Sequence, residues 1–99
     1  MARVRVVARA ARQAERVDAW WRENRAASPD LFAAEFAGAM EALAAAPEMG
    51  SRHEAGDQPG IRRVLLRTTQ FHIYHDFDGA TVRVPAVWSC HRGRGPSLN

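Results

Sequence analysis

Histidine, cysteine and arginine are where this chain could do chemistry, and their spacing narrows what that chemistry is. His72 and His75 stand three apart in a run of strand-forming residues, so they point to opposite faces and cannot share one metal ion. No metal site and no cofactor is expected. Cys90-His91 invites a nucleophile-and-base reading, but adjacent side chains in an extended segment diverge, and no acidic group follows to orient the histidine. Asp76 and Asp78 bracket an Asp-Gly turn, and turn chemistry accounts for both. Arg62, Arg63 and Arg67 stand among aliphatics, as residues on the wet face of a sheet do. Trp20-Trp21 is more informative. Neighbours on a helix are about 100° apart, so the two indoles cannot enter one core face. Trp21 falls with Ala14 and Val17 and is expected in the core. Trp20 is left at the rim of the second helix or in a partner's groove.

These residues have to be positioned by regular elements, and 61–88 is the stretch that organises them. Ile61–Arg67, Phe71–Asp76 and Thr81–Trp88 are rich in β-branched and aromatic residues and are joined by short turns, which predicts a three-stranded antiparallel meander. Alternation in the third run puts Val82, Val84, Ala86 and Trp88 on one face, with Thr81, Arg83 and Pro85 on the other. Arg3–Ala8 alternates Arg with Val and predicts a fourth strand. The period then changes to a helical one over 10–25. Ser28-Pro29-Asp30 is a strong helix start, Ser as N-cap and Pro at the first helical position. The second helix runs to about Ala46 with Phe32, Phe36, Ala39, Met40 and Leu43 as its stripe, and Pro47 ends it. The polar, Gly- and Pro-containing stretch 51–60 is expected to be a mobile loop. The segment 89–99 is expected to be a basic, partly ordered tail. The whole reads as a single α+β domain over 1–99, β-α-α-β-β-β, with a two-helix hairpin on a mainly antiparallel four-stranded sheet.

With 99 residues and 46% hydrophobic composition, one small core is within reach. All fourteen basic residues are arginine, and the net charge of +3 makes anionic partners plausible, nucleic acid or acidic protein. The single cysteine excludes an internal disulfide. No spanning segment or signal peptide is visible, so the expectation is a cytoplasmic protein with no membrane partner.

In order and spacing, the chain resembles the RelE/ParE superfamily of toxins from type II toxin–antitoxin systems over nearly its full length. The resemblance is carried by the strand RVRVVA and the Ala- and Arg-rich helix holding Trp20-Trp21. The second helix, FAAEFAGAMEALAAAPEMG, closes on the family's Leu-x-x-x-Pro-x-x-Gly pattern at Leu43, Pro47 and Gly50. IRRVLLRTTQFHIYHDFDGATVRVPAVW is similar to the family's Arg-led strand, its Tyr-[Arg/His]-aliphatic-x-Tyr strand and its valine-rich last strand. The tail Arg92-Gly93-Arg94-Gly95-Pro96 resembles family endings. The departures are His75 where members often carry Tyr, Ser89-Cys90-His91 where a His follows the last strand, and the lack of lysine, which the ribonuclease branch uses around its cleavage site.

The resemblance implies a toxin neutralised by a cognate antitoxin in a hetero-oligomeric complex, with the first strand beside the last. One branch poisons DNA gyrase, a binding function, and the missing lysines lean the expectation that way. The contact surface would then be Arg62, Arg67, Arg92 and Arg94. The other branch cleaves mRNA on the ribosome, the 2′-hydroxyl attacking the neighbouring phosphate. That chemistry needs a base, an acid and cationic stabilisation of the phosphorane, for which Arg63, His72, His91 and Arg92 are the candidates. The antitoxin segment, acidic and apolar, would meet Arg12, Arg16, Trp20 and Arg22.

Overall fold

The computed structural model describes residues 1–53 and 59–98. Its elements are β1 (Arg3–Val6), α1 (Ala8–Asn24), α2 (Leu31–Ala45), β2 (Ser51–Arg52), β3 (Arg62–Leu66), β4 (Phe71–Phe77) and β5 (Thr81–Ser89). The α+β class and the meander are as expected, but the sheet has five strands, not four. Its order is β1-β5-β4-β3-β2, and it is mixed because β1 runs parallel to β5, Val4 opposite Val82 and Val6 opposite Val84. The extra strand, β2, comes from the stretch expected to be a loop, with Ser51 opposite Arg63. The expected mobility there, at 54–58, falls outside the described residues.

Both helices lie on one face of the sheet. Phe32, Ala39 and Leu43 of α2 and Ala10 of α1 are buried against Leu66, Ile73, Val82, Val84 and Val87, with Phe36, Met40, Val17 and Trp21 packed at the margin. This is the stripe the helical spacing predicts. Full burial of each large side chain contributes roughly 1.5–3 kcal/mol, and Phe32, Leu43 and Ile73 are each at most 1% exposed.

The start of α2 differs from expectation. Asp30, not Ser28, holds the N-cap position, and it makes no side-chain cap bond. Its carboxylate is instead drawn 2.8 Å from Arg22 Nη1, joining the two helices. At the other end, Gly50 has φ +89, and a Cβ there would stand 2.5 Å from the Arg63 carbonyl oxygen. Only glycine lets the chain turn out of α2 and touch β3 this closely. Leu43 anchors the helix, Pro47 ends it and Gly50 makes the approach.

The second correction concerns β5. Its pairing with β4 is irregular: Tyr74 faces Ala86 while Asp76 faces Arg83, so Val84 and Pro85 together oppose His75. Pro85 has no N–H to give a ladder, and a bulge is where a central strand tolerates it. The extra residue reverses the alternation beyond it. Val82 and Val84 face the helices and so does Val87, whereas Ala86 and Trp88 join a second apolar cluster with Ile61, Tyr74 and Leu98 on the outer face. The four residues expected on one face are therefore divided two and two. Beyond Val84 the edge of β5 has left β1, and the Val87 amide donates to Gln13 Oε1 of α1 at 2.8 Å, which satisfies a group the sheet leaves open.

Candidate functional site

Two surfaces gather the residues that carry chemistry. The first is the outer face of the sheet, away from the helices. Antiparallel register puts Arg63 opposite Tyr74 and Leu65 opposite His72 on β3 and β4, and Trp88 of β5 beside His72. His53 follows β2, and its amide bonds the Ile61 carbonyl at 2.9 Å, which brings its ring onto Tyr74 with centroids 5.0 Å apart. The His72 ring also meets Tyr74 edge-on, with centroids 6.1 Å apart. Cys90 Sγ lies 3.4 Å from His72 Nδ1.

Burial holds the His72 imidazole below its ordinary range, and the charges of Arg63 and His53 push it the same way. Burial pushes the Cys90 thiol up, with Arg63 opposing part of that shift. Both effects favour the neutral form of His72, which has a free lone pair to accept a proton, within reach of the Arg63 charge. Asp76 also lies on this face, but Arg83 holds its carboxylate, Nη2 to Oδ2 2.7 Å and Nε within 3.2 Å of both oxygens. Asp76 is therefore an ion-pair partner and not a turn residue. Asp78 is the turn residue: its Oδ1 accepts from the Ala80 and Thr81 amides at 2.8 and 2.7 Å.

Of the four candidates for RNA chemistry, Arg63 and His72 share this face. His91 and Arg92 line a groove that runs from α1 round the end of β5, and Arg92 reaches the outer face by stacking on Trp88, 4.4 Å from its ring. His75 points to the helix side, as strand spacing requires, and is fully buried. Arg62 and Arg63, adjacent in sequence, part across the sheet: Arg62 Nη1 donates to the Gly50 carbonyl at 3.2 Å. Arg67 lies in the β3–β4 turn, at the opposite end of β3 from Arg62. Arg94 lies in the tail, its carbonyl accepting from Trp88 Nε1 at 2.7 Å.

The groove is the second surface. It encloses 830 Å³ between α1, the β3–β4 turn and the end of β5, and Trp20, Trp21, Phe71 and Trp88 line it with Arg16, Arg25 and Arg92. Among the described residues, no carboxylate lines it. Trp20 is 47% exposed. Arg25 stacks 4.7 Å from the Trp20 ring, with its Nη1 donating to the Asn24 carbonyl at 3.2 Å, and Arg92 stacks 4.4 Å from the Trp88 ring; a stacked guanidinium presents its edge N–H groups sideways, where an anion can meet them. Of the residues expected to meet an acidic partner, Arg16 and Trp20 line this groove. Arg12 is exposed on α1 outside it, and Arg22 is engaged with Asp18 at 3.1 Å and Asp30 at 2.8 Å.

The tail is more ordered than expected. It folds back over the outer face, where Leu98 is 7% exposed against Ile61, Tyr74 and Ala86, and Arg9 Nη2 donates to the Ser97 carbonyl at 3.2 Å.

Sequence reasoning missed His53 and the Cys90–His72 contact. Nothing in a polar Gly- and Pro-containing stretch marks His53 for the sheet, and the one available signal is that Ser-Arg-His there continues the alternation of β3 in reverse. Among the described residues, no group of three His, Cys, Asp or Glu is placed to hold a metal ion, and no helix is long and apolar enough to cross a membrane. No protein-family model matches the chain, and no curated protein matches it.

Proposed function

We propose that this protein is the toxin half of a type II toxin–antitoxin pair, acting on translated RNA and neutralised by an acidic segment of its antitoxin. The resemblance in the order of its segments motivates the pair. The observation that carries the RNA reading is the convergence of Arg63 and His72, both half-buried, on the face of the sheet away from the helices. A neutral imidazole beside a guanidinium is suited to take a proton from a 2′-hydroxyl while the cation meets the charge that develops on phosphorus. Lysine is not required for either role. The groove supports the neutralising partner. Three arginines and four aromatics without a carboxylate suit a segment that is both acidic and apolar.

Poisoning of DNA gyrase is the second reading. It is favoured by the spread of Arg62, Arg67, Arg92 and Arg94 over both ends of the sheet, which suits a broad contact with a large anionic complex more than one catalytic pocket.

Induced expression in a bacterial host, with translation rate and DNA damage response read separately within minutes, tests the proposal. Early translation arrest with cut mRNA, abolished by His72→Ala, is the expected result. A DNA damage response preceding any change in translation would favour gyrase. Normal growth without the antitoxin would count against the toxin reading altogether.

A further inference from the structure

His53 is a histidine of the outer face to which the sequence assigns no role. It reaches that face because β2 pairs with β3 and the His53 amide extends the ladder to Ile61. Its ring and that of His72 both meet Tyr74 edge-on, at 5.0 and 6.1 Å. Tyr74 is 2% exposed and packed with Leu98, Ile61 and Ala86, so it is a fixed neighbour that both half-buried imidazoles share. Arg63 stands opposite Tyr74 in register. The groups facing His72 are Arg63 from β3, His53 from beyond β2, and Cys90 from beyond β5, with Trp88 across the strand pair and Arg92 stacked on it. The one carboxylate of β4, Asp76, is held by Arg83.

We propose that His53 is the general acid of phosphodiester transfer at this face, with His72 as the general base and Arg63 facing the phosphorane. The inference rests on the RNA-cleavage reading above. Two imidazoles and a guanidinium, with the Asp76 carboxylate of β4 paired to Arg83, suit an anionic substrate that must lose a proton at one atom and gain one at another. In the step, the 2′-hydroxyl passes its proton to His72 and its oxygen bonds to phosphorus. The bond from phosphorus to O5′ breaks, and O5′ takes a proton from His53. The products are a 2′,3′-cyclic phosphate and a 5′-hydroxyl. One proton is taken and one given, so no further reactant is needed. His72 Nδ1 faces Cys90 Sγ at 3.4 Å, which leaves Nε2 as the nitrogen open to substrate. Cys90 is a positioning residue in this arrangement.

The test is single-turnover cleavage of mRNA on programmed ribosomes from about pH 5.5 to about pH 9, for the native protein, His53→Ala, His53→Gln and His72→Ala. The native profile is expected to be bell-shaped. His53→Ala should slow cleavage about 10²–10⁴-fold and lose the alkaline limb. Replacing O5′ at the cut site by sulfur, a leaving group that needs no proton, should restore His53→Ala and leave His72→Ala slow. His53→Gln should match His53→Ala while keeping the native thermal midpoint, which separates loss of the proton donor from loss of the fold. Native-rate cleavage by His53→Ala, or failure of the sulfur substrate to restore it, overturns the assignment and leaves RNA cleavage standing. A native protein that cuts no mRNA on ribosomes overturns both.

Discussion

Cys90 and His72 meet across the end of the β4–β5 pair, sulfur to Nδ1 at 3.4 Å, although eighteen residues separate them. The contact exists because the Cys90 amide bonds the Gln70 carbonyl at 3.0 Å, which carries the β4–β5 pairing one residue past Phe71 and Ser89 and sets Cys90 diagonally beside His72. Burial dominates the thiol and raises its pKa, while Arg63 lowers it. Alkylation by iodoacetamide should therefore be slower than for a free cysteine at pH 8, its rate profile displaced to higher pH. Arg63→Ala should displace it further, because the opposing charge is gone. A profile at or below that of a free thiol would mean that Cys90 is paired with a cationic His72 and that burial does not decide its ionisation.

Gly50 is the position least able to accept a side chain. Its φ of +89 is unfavourable for an L-residue, and a Cβ would meet Arg63 O at 2.5 Å and Val64 Cγ2 at 3.1 Å. The nearest atom is backbone of a paired strand and cannot swing aside. Gly50→Ala should cost about 2–4 kcal/mol in chemical denaturation, more than the ~1 kcal/mol of conformational strain alone, because β3 must also shift. Gly60→Ala is the control: its φ is +86, but its Cβ would meet nothing within 4 Å among the described residues. Equal costs would assign the effect to φ and remove the argument from close approach.

How much of this was legible in the sequence follows from the range of each signal. The α2 stripe and the meander were readable because periodicity is local, and Phe32, Leu43 and Ile73 lie where it puts them. Side-chain direction beyond Pro85 was not, because a bulge depends on how β4 and β5 align, and two-residue alternation cannot register the added residue. The cap on α2 failed for a similar reason: Ser28-Pro29-Asp30 is a sound local signal, but Arg22 on the other helix claims Asp30. On the outer face, Arg63 and His72 were legible from strand spacing, whereas His53 and Cys90 arrive from segments whose course is set by backbone bonds to Ile61 and Gln70.

His75 should make the fold sensitive to acid. It is fully buried, and among the described residues neither ring nitrogen makes a hydrogen bond of good geometry, although the Met49 backbone lies close enough to favour the charged form. Burial lowers its pKa, the Met49 backbone opposes that shift, and Arg62 adds to it. The unfolded chain then binds a proton at higher pH than the native one, so stability should be level above about pH 6.5 and fall as pH drops below it. His72, shifted the same way by burial, adds to the slope. His75→Leu removes an unsatisfied polar group at similar volume and should leave stability at pH 7.5 within about 1 kcal/mol. Urea denaturation at several pH values should show a shallower acid slope for His75→Leu than for the native chain. Parallel slopes would place the sensitivity elsewhere.

Leu98 tests whether the tail is part of the fold or only rests on it. Leu98 contributes about 2 kcal/mol by burial, more than either bond to the Ser97 and Arg94 carbonyls (about 1 each) or the stacking of Arg92 on Trp88 (about 0.5–1). Removing this largest single contribution should release the segment without unfolding the domain. Leu98→Ala should leave the global midpoint within a few degrees, yet speed exchange of the Trp88 indole proton, which Arg94 O now accepts. Tyr74, 2% exposed beneath it, should become open to nitration in the same variant. An indole proton as protected as in the native chain would show that the Arg94 contact holds by itself and that Leu98 is not what fastens the tail to the outer face.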